Sequence, residues 1–385
     1  MTNSDPLAID EIRLRHVVEN STGCPILGQL SWQVEPIDHL RINLMTTGLY
    51  RISGDGSKYV LWSVILKIVA LKPPDPDSPF NSSDDPAHWN YWKRESLAYQ
   101  SSWLSQQGCS LAVPRCLAVD DSHPNEIWMW LEDIPGTLAS VWPLERYELA
   151  ARHLGQYQGA YLMGRPLPQE TWLVRDYLRA RFTAPPPKAL DDHVRWSHPL
   201  VAQFFPQPFY QLLSRLWDAR EAVLDRIANA PQTVCHMDIW PPNLIARNSA
   251  NRGSETVLID WSGVGIGAIG QDLGNLVPDS TTRFFVAGED LPRLENLVLQ
   301  GYIAGLRDAG WTGDPEIIHE IYNASAALTW GFFGCWTILA ASDESRRLAM
   351  EKRFNLPFAE IIRRRAPAIS HILMTVERTL NLVKG

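Results

Sequence analysis

The sequence predicts an α+β fold of two lobes, a small antiparallel-sheet lobe with one helix and then a larger, mainly helical lobe. Two observations support this prediction. The first third of the chain contains short apolar runs bounded by turn signals, whereas long segments with helical spacing of apolar residues follow Pro135-Gly136. A chain of 385 residues without an internal repeat is long enough for two packed lobes. We therefore expect lobes at residues 1–134 and 135–385.

The first lobe is predicted element by element from its apolar pattern. A short helical stretch comes first, and Asp55-Gly56 then marks a hairpin turn between two strands. A loop rich in Pro, Asp and Ser, residues 72–86, separates these strands from a helix, and two more strands follow. The predicted ranges are 9–19 for the first helix, 89–105 for the second, and 44–53, 59–69, 112–119 and 126–131 for the strands.

The second lobe is predicted to be helical except for one hairpin. Two short apolar strands flank a turn-rich tip at residues 248–253. The predicted ranges are 144–163, 169–182, 200–229, 291–309 and 316–341 for the helices, and 244–246 and 257–259 for the strands.

Composition excludes several classes of protein. The net charge of −8 is not that of a nucleic-acid binder, which normally carries a clustered basic excess. The five cysteines are scattered without a C-x-x-C pair, so we expect reduced thiols rather than zinc or a disulfide framework. Because residues 1–10 lack the pattern of a secretory signal, a cytoplasmic location is expected.

One uncharged segment, residues 324–341, is about long enough to span a bilayer. It contains Ser, Thr and Gly residues, and Asp343 and Glu344 follow it directly. Because no second candidate span accompanies it, we interpret it as a buried helix and expect no membrane association.

The strongest chemical signal lies beside the predicted hairpin. His236, Asp238 and Asn243 match H-x-D-x-x-x-x-N, the spacing of a kinase catalytic loop, and Asp260 follows the second strand. Phosphoryl transfer requires neutralised charge and an acceptor hydroxyl directed at the γ-phosphate. Asp238 is suited to orient that hydroxyl, while Asn243 and Asp260 offer the hard oxygen ligands that Mg²⁺ prefers. His236 is interpreted as a brace of the loop, since Asp238 already supplies a base.

These motifs, over about residues 44–276, resemble those of the aminoglycoside phosphotransferase and choline kinase superfamily, which has a protein-kinase-like fold. The resemblance implies transfer of phosphate from ATP or GTP, with Mg²⁺, to a hydroxyl of a small molecule. It further implies that Asp272 braces the catalytic loop and that Lys67, partnered by Glu95, holds the nucleotide phosphates. Leu131-Glu132-Asp133 is similar to the hinge whose backbone pairs with the base, and we take Glu132 as its representative.

The sequence departs from this pattern in three places. The nucleotide-covering loop has only Gly48, without G-x-G-x-x-G. The long gap between Lys67 and Glu95 leaves Glu126 as another candidate partner for the lysine. Trp-Ser follows Asp260 where protein kinases have Phe-Gly, which favours a small-molecule kinase.

Two alternative functions remain open at this point. Residues 265–270 form G-x-G-x-x-G after a strand, with Glu289 and Asp290 beyond it, as in a nicotinamide-dependent dehydrogenase. A kinase would instead use this segment as a mobile stretch after the metal site. The other alternative is a nucleotide-binding pseudo-enzyme, although the joint presence of the candidate catalytic residues argues against it.

The acceptor is not defined by the sequence. An aminoglycoside, being a polycation, would need an acidic cleft, for which Asp279, Asp343 and Glu344 are candidates. The stretch from Arg346 to Lys384 is instead basic. Choline, homoserine, a sugar or another natural product remain open, as do the choice between ATP and GTP, the oligomeric state and any role of residues 183–199.

Overall fold

A computed structural model describes residues 7–26, 28–38, 45–55, 61–74, 81–105, 110–182, 190, 193–205, 207–249 and 253–383. Within these ranges there are twelve strands: β1 (Ser31–Pro36), β2 (Thr46–Asp55), β3 (Leu61–Ala70), β4 (Leu111–Ala112), β5 (Cys116–Asp120), β6 (Glu126–Glu132), β7 (Thr137–Leu138), β8 (Val174–Arg175), β9 (Gln232–Cys235), β10 (Leu244–Ser249), β11 (Gly253–Leu258) and β12 (Gly265–Ala268).

Helices dominate the second part of the chain. The helices of all the described residues are α1 (Glu11–Thr22), α2 (Arg94–Gln100), α3 (Ser102–Ser105), α4 (Leu144–Leu162), α5 (Tyr177–Arg181), α6 (His193–Trp196), α7 (Pro199–Phe204), α8 (Gln207–Ala228), α9 (Leu273–Thr282), α10 (Leu291–Asp308), α11 (Glu316–Ala326), α12 (Phe333–Ala341), α13 (Glu344–Phe354) and α14 (Phe358–Leu382). The α+β class predicted from the sequence is confirmed, while the boundary between residues 134 and 135 stays a prediction.

An antiparallel sheet of five strands, in the order β1-β2-β3-β6-β5, forms the first lobe. The central strand β3 is apolar on both faces because both are covered. Val64 and Leu66 pack against Leu14 of α1 on one side, and Val69 belongs to the core that includes Ala98 of α2 on the other. This double coverage is what buries Lys67, which is 7% exposed.

Strand β1 was missed by the sequence prediction. Its six residues alternate only weakly, none of them is buried, and it pairs with β2 alone at the edge of the sheet. An edge strand without a buried face gives little hydrophobic signal. The predicted turn at Asp55-Gly56 falls partly outside the described residues.

Two smaller sheets support the centre of the molecule. The predicted hairpin is confirmed as β10 and β11, and β7 and β4 extend it on either side. The third sheet places β12 between β8 and β9.

The expectation of a mobile glycine segment was wrong, because Gly265–Ala268 is a fully buried strand. The same finding removes the dehydrogenase alternative. Gly265 and Gly267 lie inside a strand antiparallel to β9, rather than in a turn that opens a helix beside a parallel strand.

One helical expectation needed correction, and the sequence analysis missed helices α9, α13 and α14. The predicted helix at 169–182 is only α5 preceded by β8, because Val174 pairs with β12 and Asp176 adopts a left-handed φ of 53°. Helix α9 was missed, since Pro278 lies inside it and its buried polar residues obscure the apolar pattern.

The two long helices α4 and α10 pack closely along a glycine contact. A Cβ atom on Gly155 would lie 2.2 Å from the Tyr302 carbonyl oxygen, and one on Gly305 would lie 2.0 Å from the Arg152 carbonyl oxygen. The glycines therefore set the distance between these helices. This packing holds α4 against the third sheet, where the Gln158 side-chain amide donates a hydrogen bond to the Val234 carbonyl.

In the described part of the chain, one helical stretch, Glu316–Ala341, is long and apolar enough to cross a membrane by length and composition alone. It comprises α11, a π-helical turn at Ala327–Gly331 and α12. Of its most apolar window, 78% is buried inside the protein, which is the burial of a core helix.

Candidate active site

The loop after β9 is held in an unusual backbone conformation by Asp272. The Asp272 carboxylate accepts hydrogen bonds from the backbone N–H groups of His236, at 3.0 Å, and Met237, at 2.8 Å. Met237 has a left-handed φ of 67°, which a residue with a side chain adopts only when its surroundings compensate the strain. Asp272 thus lies where a brace of the predicted catalytic loop has to lie.

His236 connects this loop to the end of the hairpin. Its Nε2 lies 3.0 Å from the Ile259 carbonyl oxygen, and its ring meets Trp261 edge to face. Burial lowers the pKa of His236 to about 4, so the ring is neutral at pH 7. A neutral, buried histidine that bonds to backbone fits a structural part better than proton transfer.

Asp238 and Asn243 face each other across the loop. The Asn243 amide nitrogen donates to the Asp238 carbonyl at 2.9 Å and to its Oδ2 at 3.3 Å. A short 3-10 turn, Pro241–Asn243, presents the amide in this direction. Burial, together with the nearby carboxylates of Asp260 and Asp279, raises the pKa of Asp238 to about 7. A carboxylate with that pKa is matched to proton acceptance near neutral pH.

Lys67, Glu95 and Asp260 meet although 193 residues of chain separate the first from the last. The Lys67 Nζ lies 2.6 Å from Glu95 Oε2 and 3.0 Å from Asp260 Oδ1. Burial opposes the charge of Lys67, but the two carboxylates outweigh it and raise the lysine pKa. Asp260 itself has a left-handed φ of 62°, which directs the backbone after β11 into the turn at Trp261–Gly263.

The two carboxylates beside Lys67 differ in their protonation. Burial raises the pKa of Glu95 to about 7, since Lys67 compensates only in part. For Asp260 the balance reverses, because the charge and hydrogen bond of Lys67 outweigh burial and lower its pKa. Asp260 is therefore the permanently charged acid of this group.

Glu95, rather than Glu126, is the acid that contacts Lys67. Glu126 begins β6 opposite Ala70, whereas Met129 of β6 is the residue opposite Lys67. Glu126 instead approaches the Trp128 indole nitrogen, at 3.5 Å.

The other two predicted nucleotide residues lie in strands. Gly48 is buried in β2 opposite Ile68, beside a bulge at its start, and it follows the connection at residues 37–45, most of which lies outside the described residues. The Glu132 backbone N–H donates to Arg115 O at 2.9 Å, and its side chain contacts Arg247 at 3.3 Å. Within the described residues, no side-chain hydrogen bond or ion pair joins Gly48 or Glu132 to Lys67, Glu95 or Asp260.

The oxygen donors of the site suit a hard cation. The hydrogen bonds of Asn243 use its nitrogen, so its amide oxygen remains available as a ligand, and the Asp260 carboxylate is charged. Among the described residues, no three His, Cys, Asp or Glu side chains cluster as a metal cage. This arrangement fits Mg²⁺, which keeps several waters and usually takes one or two protein ligands together with substrate phosphates.

Sequence reasoning missed three supporting residues. Gln158 donates to Asp272 at 2.8 Å, and Asn275 donates to the Met237 carbonyl at 3.0 Å. Arg94 is fully buried and donates to four carbonyl groups, those of His88, Trp89, Trp172 and Ser262. Only Asn275 had a sequence signal, because it lies one helical turn beyond Asp272.

Each of the three acids considered for an acidic acceptor cleft already interacts with a partner of its own. Asp279 is buried and forms an ion pair with Arg283. Asp343 caps α13 by accepting from the Arg346 N–H, and Glu344 is exposed beside Arg347. Residues 183–189, in the segment considered as a substrate loop, lie outside the described residues.

The two-lobed fold, with a buried lysine and a braced aspartate loop between a sheet and a helical region, defines a kinase-like phosphotransferase. The family model of the phosphotransferase enzyme family (APH) matches residues 87–312, which is more than half of the chain. The protein therefore belongs to this family. The matched range includes Glu95 and residues 236–272, whereas Lys67 and Gly48 lie before it. No curated protein matches the chain.

The similar solved structures include two that cover most of the chain. Choline kinase from Cryptosporidium parvum shares 14% identity over 97% of both chains, with a TM-score of 0.52. Amicoumacin kinase, in complex with AMP-PNP, Ca²⁺ and its ligand Ami, shares 15% identity over 86% of this chain and 88% of its own, with a TM-score of 0.51. At such low identity these similarities show the fold, which confirms the predicted kinase-like architecture.

Proposed function

We propose that the protein transfers the γ-phosphate of ATP or GTP to a hydroxyl group of a small molecule, with Mg²⁺ as cofactor. The observation that carries the proposal is the meeting of Lys67, Glu95 and Asp260 beside the braced Asp238 loop. Family membership makes a small-molecule phosphotransferase the expected class.

In the proposed mechanism, the nucleotide phosphates bind to Lys67, whose Nζ is fixed by Glu95. The hinge around Glu132 pairs with the base, and Gly48 lies near the phosphates where the chain enters β2. These assignments divide the work between the proposed lobes, residues 1–134 for the nucleotide and 135–385 for catalysis and the acceptor.

Asn243 and Asp260 are proposed to hold Mg²⁺, which when bound supplies positive charge to the phosphate oxygens. Asp238 accepts the hydrogen bond, and finally the proton, of the acceptor hydroxyl. The hydroxyl oxygen bonds to the γ-phosphorus as the bond from that phosphorus to the β–γ bridging oxygen breaks, and the nucleoside diphosphate leaves. His236 and Asp272 keep the loop in place throughout. The transfer is direct and in line, without a phosphorylated protein as an intermediate.

The small-molecule acceptor remains to be identified. The similar structures include a choline kinase and an amicoumacin kinase, so we place the acceptor among hydroxylated small molecules without choosing either compound. We further propose that the protein acts in the cytoplasm, where both nucleotides and Mg²⁺ are present.

The proposal is tested by nucleotide consumption with Mg²⁺ and either ATP or GTP, across a panel of hydroxylated compounds that includes aminoglycosides and choline. We expect one acceptor to stimulate turnover and Asp238→Ala to abolish it, with nucleotide binding retained. The matched control is Asp218→Ala, an exposed residue of α8. Binding of nucleotide without turnover for any acceptor would favour the pseudo-enzyme, and the absence of nucleotide binding would contradict the site itself.

A further inference from the structure

A pocket of about 340 Å³ lies where the end of α9 meets α13 and α14. It is lined by three arginines and three phenylalanines, and we call it the arginine pocket: Arg283, Arg353, Arg364, Phe284, Phe285 and Phe354. Its volume is within the range of small-molecule sites.

The arginine pocket adjoins the catalytic loop. Trp240, two residues after Asp238, has the Arg283 guanidinium 4.9 Å from its ring centroid and the Phe285 ring at 6.3 Å. The charge of Arg283 is among those that act on Asp238, where it opposes the rise in the pKa of that carboxyl. The pocket therefore borders the loop that carries the proposed base.

The charges around the pocket do not balance. Arg283 pairs with Asp279, and Arg364 shares Glu360 with Arg363. Within the described residues, no carboxylate forms an ion pair with Arg353, which instead lies over the Phe354 ring at 5.7 Å. The pocket thus has a positive excess in a protein whose net charge is −8.

A fourth, buried arginine behind the pocket lining adds to this excess of positive charge. Arg365 is 2% exposed, donates to the Thr282 carbonyl at 2.9 Å and lies against the rings of Phe284 and Phe354. Burial lowers the pKa of Arg365 to about 9, yet its guanidinium remains charged at pH 7. Several arginines with few counter-ions repel one another, and a bound anion relieves that repulsion.

We propose that the acceptor is an anion whose carboxylate or other oxyanion binds Arg283 and Arg353, with its apolar body on the phenylalanine rings. This inference rests on the proposed function and narrows its substrate class. In this position the hydroxyl of the same molecule reaches towards Asp238. A polycation such as an aminoglycoside is disfavoured, because it would face the arginines.

The test uses three compounds that share a hydroxymethyl aryl body and differ in charge: para-(hydroxymethyl)benzoate, para-(hydroxymethyl)benzamide and para-(hydroxymethyl)benzylamine. Binding to the full-length protein is measured by calorimetry at low salt, with and without nucleotide. We expect the benzoate to bind about tenfold more tightly than the neutral amide, since an arginine–carboxylate bond is charge-assisted. Equal binding of benzoate and amide, tighter binding of the amine, or binding of none of them would overturn the inference.

Matched variants locate the effect. Arg353→Gln should remove about tenfold of the affinity for the benzoate and leave that for the amide unchanged. Arg347→Gln, on the same helix but outside the pocket lining, should change neither. An unchanged benzoate affinity in Arg353→Gln would contradict the assignment.

Turnover separates the two proposals. Phosphorylation of a neutral or cationic acceptor in preference to its anionic analogue would contradict the anionic acceptor while leaving the kinase function intact. Benzoate binding that depends on Arg353, in a protein that turns over no nucleotide, would support the anion site and contradict the kinase function.

Discussion

Asp238 shows how one side chain acquires its chemistry from its surroundings. An aspartate ordinarily loses its proton near pH 4, but burial and two neighbouring acids raise the pKa of Asp238 to about 7. The carboxylate form, which the proposed base requires, is therefore only about half populated at neutral pH.

This pKa predicts the pH dependence of turnover. The rate should rise with pH, by about tenfold per unit well below pH 7, and level off above it, because only the carboxylate accepts the proton. The measurement is kcat/KM from about pH 5 to 9 with the identified acceptor, and Asp218→Asn should keep the same profile. A flat profile across pH 6 to 8 would contradict a base with a pKa of about 7.

At the residue scale, sequence spacing predicted more than composition could. The spacing of H-x-D-x-x-x-x-N and the strand before Asp260 identified Asp238, Asn243 and Asp260, which the fold brings into one region. The choice between Glu95 and Glu126 stayed open on sequence, because it depends on which residue of β6 and α2 faces Lys67. Gln158 and Arg94 could not be predicted, since both bond to backbone or side chains more than 70 residues away.

At the element scale, an element was predicted well where it buries apolar residues. Strand β3 was predicted closely because it is a continuous apolar run, and helix α4 because its apolar residues recur at helical spacing. Strand β1 and helix α9 were missed, the first because it has no buried face and the second because it buries polar residues and a proline. Residues 265–268 were misjudged because a glycine motif has the same letters in a turn and in a buried strand.

The glycine contact between α4 and α10 gives an element-scale prediction. In Gly305→Ala the new Cβ would lie 2.0 Å from the Arg152 carbonyl oxygen, so the helices must separate. We expect a cost of about 1–3 kcal/mol in the free energy of unfolding, which thermal or urea denaturation would measure. Gln300→Ala, on the exposed side of α10, is the control and should be nearly neutral. Unchanged stability of Gly305→Ala would mean that the two helices are not held at this distance.

At the scale of the whole molecule, the fold explains why residues so distant in sequence act together. The sheet carries Lys67 and α2 carries Glu95, whereas the braced loop and the hairpin carry Asp238 and Asp260. The two-lobed class could be predicted because short apolar runs give way to long segments with helical spacing after Pro135, and family membership supports it. The proposed acceptor class could not be predicted, because the arginine pocket joins the end of α9 to α13 and α14, which lie much later in the chain.

The central claim is direct transfer of the γ-phosphoryl group to a small molecule. The most direct measurement follows a γ-labelled nucleotide through a single turnover with the identified acceptor and Mg²⁺, and determines which molecule carries the label. The account predicts that the label appears on an acceptor hydroxyl in the wild type, and never on the protein. Label bound covalently to the protein on the reaction path, or released only as inorganic phosphate, would contradict it.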